Sequence, residues 1–152
     1  MSVVNSSVLS TLDFFNELSE EMISRLAAIA ELREYEAGVF LNQRKSRADY
    51  FYIIVSGEIS LEVESLTGKT VRLETIAPGG AIGFSSLIDS ENKGYLSDAK
   101  TLTPVRLLRF KSDEMTMLFY QDFELGYLIM KKIALIAKQR LIHRTYPIPK
   151  LG

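Results

Sequence analysis

The chain has 152 residues, 47% of them hydrophobic, with a net charge of -1 and no cysteine. That length and apolar content predict one globular domain, residues 1–152, rather than a disordered chain. The missing cysteines exclude disulfides, thiolate metal sites, cysteine-ligated clusters and cysteine nucleophiles, and the near-neutral charge argues against the whole chain being a nucleic-acid binder.

No apolar run approaches the length needed to cross a bilayer. The N-terminus lacks the basic start and long apolar run of a secretory signal, so a cytoplasmic location is expected. Charge is unevenly spread. Up to Glu36 the acids are Asp13, Glu17, Glu20, Glu21, Glu31, Glu34 and Glu36, against Arg25 and Arg33. From Phe123 onward the one acid is Glu124, against Lys131, Lys132, Lys138, Arg140, Arg144 and Lys150. Such a tail can contact a partner, or it can be a solvated helix face whose late cations suit a helix C-terminus.

In chain order, Ser10 and Asp13 have capping-box spacing and predict a short helix through Phe14 and Phe15. Ser19 predicts a cap for a second helix, with Glu20 and Glu21 in its first turn and Met22, Ile23, Leu26, Ala27 and Ala30 on one face. Gly38 follows as a turn. The period then changes. Tyr50 to Val55 is an apolar run of strand length, and Ser56-Gly57 permits a tight turn. Ile59, Leu61 and Val63 alternate with polar residues, as in a half-buried antiparallel strand. Thr67-Gly68 makes another turn before a strand through Val71 and Leu73, and Pro78-Gly79-Gly80 breaks it. Val105 to Phe110 predicts a last strand. Many short strands with glycine turns suggest a closed antiparallel β-roll of jelly-roll type over about 32–110, since closure removes exposed edges.

Helices are predicted again over about 112–143. Ser112 is placed to cap Asp113 to Tyr120, and Asp122 to cap a long helix reaching about Ile142. Phe123, Tyr127, Met130, Ala134, Ala137 and Leu141 recur at heptad steps along it. Leu128, Leu135 and Ile142 form a neighbouring stripe. One stripe can pack on the body while the other meets a second copy, so a homodimer through the seam is expected; docking of one broad face on its own domain is the alternative. Pro147 and Pro149 end the helix. No internal repeat is visible, and the few residues after them cannot form a further domain.

The order of elements and several phrases resemble the cyclic nucleotide-binding domain superfamily. "FFNELSEEMISRLA" at 14–27 is similar to its entry helices. "YFYIIVSGEISL" at 50–61 is similar to its strand-turn-strand signature, with Gly57 in the turn. "LETIAPGGAIGFSSLI" at 73–88 looks like the approach to its phosphate-binding cassette, and "TLTPVRLLRF" at 101–110 like the strand leaving it. The resemblance covers about residues 12–142 and extends to the sensor domain of catabolite-activator-type regulators. There the last helix pairs two subunits and leads into a helix-turn-helix domain, which this sequence lacks.

The resemblance implies a ligand site in which short-helix N–H groups and an arginine hold the cyclic phosphate, and a glutamate accepts the ribose hydroxyl. Its candidate residues here are Gly83, Phe84, Ser85, Ser86, Leu87, Lys93, Tyr95 and Ser97. Gly83 matches the glycine before the glutamate, Phe84 stands at the glutamate position and Leu87 closes the short helix. Tyr95 falls at the arginine position, with Leu96 or Ser97 just beyond, and no arginine lies between Gly79 and Thr101. Lys93 or Lys100 can supply a point charge but not a bidentate fork. The Ser85 and Ser86 hydroxyls can hold an anion or only cap the turn. Phe84 and Tyr95 can fill the vacated pocket, or line it for a flat molecule with the tyrosine hydroxyl as a polar handle.

Other constellations are weaker. Glu58, Glu62 and Glu64 can form a metal or acid–base cluster, or simply a solvated strand face. His143 is the only histidine, so no haem ligand set is available within the roll. Arg44, Lys45 and Arg47 make a compact basic turn able to attract an anionic partner. The methionines need no role beyond packing. No nucleophile–base pair or carboxylate pair has supporting context, so no enzyme activity and no cofactor are expected. The reading is a non-enzymatic regulatory or sensor module signalling by dimer or partner contacts. A usual cyclic AMP or cyclic GMP regulator, a ligand-free scaffold and a transcription-factor sensor fragment remain alternatives, with a small-molecule ligand possible, no direct DNA binding and no membrane partner.

Overall fold

The computed structural model describes residues 4–88 and 94–145. Asn5 accepts a hydrogen bond from the Ser7 N–H and starts a one-turn helix, α1 (Ser6–Ser10), that the sequence pattern did not reveal. Ser10 and Asp13 do not form a capping box. Ser10 ends α1, its hydroxyl donating to the Ser6 carbonyl, and a 3-10 turn at Asp13–Phe15 buries Phe14 and Phe15. Ser19 does cap α2 (Glu20–Ile29), accepting from the Met22 N–H at 3.2 Å. The buried face of α2 is Met22, Ile23, Leu26 and Ala27, the stripe its spacing predicts.

The strands follow as β1 (Ala30–Tyr35), β2 (Phe40–Asn42), β3 (Tyr50–Ser56), β4 (Ile59–Glu64), β5 (Thr70–Ile76) and β6 (Ala81–Ile82). A short helix α3 (Ser85–Ile88) precedes β7 (Asp98–Thr101) and β8 (Val105–Lys111). They form two antiparallel four-stranded sheets, ordered β1-β8-β3-β6 and β2-β7-β4-β5. The expected closed β-roll or jelly roll is therefore corrected. The fold is mixed α/β, with two open sheets flanked by helices, and no ladder joins one sheet to the other. Each change of sheet falls in a turn or loop, not in a strand bending across. Closure is not needed to manage the edges, because β2 and β6 are only three and two residues long. Edge strands β1 and β5 carry Glu31, Arg33, Glu34, Arg72 and Glu74, and short or charged edges discourage further pairing.

Strand periodicity explains how β3 and β8 divide the core. Phe51 and Ile53 join Leu108 and Phe110 in a cluster with α2 and the 3-10 turn. Tyr52 and Ile54 join Val105 and Leu107 on the opposite face, against Ile59, Leu61, Ile76 and Ala99 of the second sheet. Burial on both faces is why Tyr50 to Val55 reads as unbroken apolar sequence. Gly57 turns β3 into β4 at φ +90°, and a Cβ there would lie 2.3 Å from the Pro104 carbonyl oxygen, so only glycine fits. The solvated-face reading of β4 holds for Glu58 and Glu64 and fails for Glu62. Glu62 is buried because β4 is an interior strand, where it stands opposite Arg72 of β5 and Asp98 of β7.

Two helices close the chain. In α4 (Ser112–Gln121) Ser112 is the first helical residue, not the cap. Asp122 starts α5 (Phe123–Thr145), its carboxylate accepting from the Leu125 N–H at 3.1 Å. The face of α5 buried on the body is Leu125, Ile129 and Ile133, which neither sequence stripe contains. Phe123, Tyr127, Ala134 and Leu141 of the seam are exposed, as are Leu135 and Ile142. The acidic N-terminal region and the basic end meet where Lys131 pairs with Glu17 at 3.0 Å.

Candidate ligand-binding site

The cassette begins where β6 runs out. Gly83 has φ +79°, and a Cβ there would stand 2.7 Å from the Tyr50 carbonyl oxygen. Glycine lets the backbone pass against β3 and turn at once into α3. The Ser86 hydroxyl donates to the Gly83 carbonyl at 2.7 Å, so this serine caps the turn. Ser85 is buried beside it, and Leu87 packs half-buried on the helical core.

Tyr95 is 6% exposed. Its hydroxyl accepts from the Tyr50 N–H at 3.2 Å and donates to the Tyr50 carbonyl at 3.1 Å. This clamps the segment leaving the cassette onto the start of β3. Neighbouring Tyr52 points its hydroxyl at the Leu41 carbonyl, 3.4 Å away. Burial pushes the pKa of both phenols above the ordinary tyrosine value, so both are neutral donors at physiological pH.

The Phe84 and Tyr95 rings leave a cavity open beside them. A cavity of about 280 Å³ is bounded by Gly83, Phe84, Ser85, Tyr95 and Ser97. Its apolar floor is Leu61, Leu73 and Ile82 from the two sheets, and Asn42 of β2 stands at its side. Leu96 is exposed at the mouth. Ser86 and Leu87 support the cassette without reaching the cavity lining. Lys93 lies outside the described residues. Lys100 does not line the cavity, its ammonium standing 5.3 Å from the Phe40 ring centroid.

The residue that sequence reasoning missed is Arg140. Together with Ala137 and Leu141, two members of the predicted pairing seam, it reaches the cavity from α5. Its guanidinium stands 5.5 Å from the Phe84 ring centroid, donates to the Ala81 carbonyl and lies 3.4 Å from the Glu74 carboxylate. Its side chain is 11% exposed. Among the described residues, no other Asp, Glu, Lys or Arg borders this cavity. No sequence signal marked it, since Arg140 is one of several cations in a basic tail.

The remaining candidates are dispersed. The basic turn at Arg44 to Arg47 is held to the cassette exit, with the Lys45 N–H donating to the Tyr95 carbonyl at 2.9 Å and the Arg44 N–H to Asp98 at 2.6 Å. Arg47 pairs with Asp49 at 2.7 Å. Among the described residues no three His, Cys, Asp or Glu side chains gather as a metal site, and His143 is exposed on α5.

Comparison with known proteins assigns this arrangement. The family model "Cyclic nucleotide-binding domain" matches residues 32–122, more than half of the chain. A putative cyclic nucleotide-binding protein from Geobacter metallireducens is 26% identical, with a TM-score of 0.78 over 91% of this chain and 98% of that one. The regulatory subunit of a cAMP-independent protein kinase A from Trypanosoma brucei shares the fold at 16% identity and a TM-score of 0.76, over 96% of this chain and 50% of that one. Isozyme 1 of the cGMP-dependent protein kinase of Drosophila melanogaster is 24% identical over 87 residues, covering 56% of this chain and only 11% of the kinase. The chain belongs to the cyclic nucleotide-binding domain family. Among the described residues no helix-turn-helix unit accompanies it, and no helix is long and apolar enough to cross a membrane.

Proposed function

We propose that this single-domain module senses a small molecule other than a cyclic nucleotide and signals as a homodimer in the cytoplasm. The observation that carries the reading is the open cavity beside Phe84 and Tyr95. The aromatic residues stand where the family's glutamate and arginine are expected. They remove the ribose acceptor and the phosphate fork, yet leave space with an apolar floor. Each lost charged hydrogen bond is worth about 1.5–3 kcal/mol, so the pair weakens cyclic nucleotide binding by roughly a hundredfold or more.

Dimerisation is supported by the exposed seam on α5, where Phe123 and Tyr127 keep 76% and 64% of their surface. Two large rings one turn apart, with Ala134 further along, allow close helix approach to a second copy. Near-neutral charge supports an output through protein contacts rather than duplex DNA.

Calorimetric titration with cyclic AMP and cyclic GMP tests the reading. The expected result is no binding, or binding weaker than micromolar. Micromolar or tighter binding of either nucleotide overturns it in favour of the family's usual sensor.

A further inference from the structure

The pocket carries enough chemistry to narrow its ligand, given the proposal above that it is a ligand site. We propose that it takes a small planar aromatic monoanion of the carboxylate class, and that Arg140 is the residue selecting the anion.

The cavity, at about 280 Å³, lies at the small end of ligand sites and suits one or two fused rings. Its floor of Leu61, Leu73 and Ile82 is apolar, and Phe84 presents an aromatic wall. A flat ring system satisfies both surfaces. At one side stands Arg140, whose planar guanidinium matches a carboxylate with two parallel N–H bonds. It comes from α5, so the cation is supplied from outside the cassette whose own arginine position holds Tyr95.

Arg140 is already engaged with Glu74 and the Ala81 carbonyl. Glu74 does not border the cavity, so a ligand carboxylate there competes with the Glu74 carboxylate, 3.4 Å from the guanidinium, for Arg140. Glu74 stays close by, which disfavours a second negative charge on the ligand and points to a monoanion over a phosphate dianion. A guanidinium stacked over Phe84 also holds the ring that the ligand packs against.

The probes are 1-naphthoate and its uncharged analogue 1-naphthamide. Each is titrated into the whole chain and followed by calorimetry and by NMR shifts at Leu61, Ile82 and Tyr95. The expected result is binding of the acid at least tenfold tighter than the amide. In Arg140→Gln the preference collapses to within about threefold, while the amide binds as before. Glu74→Gln removes the competing carboxylate and tightens acid binding severalfold, which keeps the test independent of how well the arginine variant folds. Equal affinity for acid and amide in the wild type overturns the proposal and leaves the pocket reading intact, as does a preference that survives in folded Arg140→Gln. Absence of shifts at the cavity residues with both compounds overturns the pocket reading itself, and this proposal with it.

Discussion

Tyr95, proposed to stand in place of the family's arginine, also ties the fold together. Its hydroxyl makes two hydrogen bonds to the backbone of Tyr50, so Tyr95→Phe should lower unfolding free energy by about 1–2 kcal/mol. Urea titration monitored by circular dichroism measures this, and an unchanged midpoint would mean that the clamp is not formed in solution. The buried phenols also set an alkaline limit. The pKa values of Tyr52 and Tyr95 are raised above the ordinary tyrosine value of 10.0, with burial the leading cause. The unfolded chain therefore releases these protons first. The resulting stability is fully present below about pH 10 and falls as pH rises above it, by up to about 1.4 kcal/mol per unit for each ring. Denaturation midpoints measured from pH 8 to 11.5 should be flat and then decline. A decline starting near neutrality would point to other groups. Phe84 and Tyr95 stand out in the sequence as proposed replacements, because the cassette pattern is local. Whether they fill or line the pocket is not, since that depends on β2, β4 and α5, remote in sequence. Arg140 is hidden for the same reason: within a basic tail nothing distinguishes a cation that folds back from one in solvent.

Among the elements, local signals read well and faces read poorly. The Ser19 and Asp122 caps, the Gly57 turn and the succession of strands β3 and β4 about it follow from short-range chemistry and stand as the sequence implies. Helix α5 is apolar around most of its circumference, so several stripes fit its pattern and periodicity alone does not choose among them. The docked face proves to be Leu125, Ile129 and Ile133. Ile133→Ala should therefore cost about 2–4 kcal/mol of stability by opening a core cavity. The heptad seam answers a different test. Met130→Glu combined with Ala134→Glu should convert the proposed dimer to a folded monomer in light scattering. A wild type that is monomeric at high concentration, or a double variant that stays dimeric, would remove α5 from the interface. Short strands such as β2 and β6, and the single turn of α1, leave no legible trace in the sequence. They are too brief to show a period and exist because partners hold them.

For the molecule as a whole, the sequence order of helices and strands leads correctly to the family but wrongly to a closed roll. Strand count and glycine turns do not specify closure; the pairing of remote strands does, and here it yields two open sheets. The cassette sits against α5 at the rim of both sheets, so a ligand there touches the β-body and the helix proposed to join two copies. Such a position lets occupancy bias the helix, provided the ligand prefers one arrangement of α5 over another. All of this turns on the site being the family's pocket with its two charged anchors exchanged for rings. The decisive experiment is to measure cyclic AMP affinity side by side for the wild type and for Phe84→Glu combined with Tyr95→Arg. No micromolar binding to the wild type is expected, with a gain of at least tenfold in the folded double variant. Micromolar binding to the wild type, or a folded double variant with no gain, would contradict it.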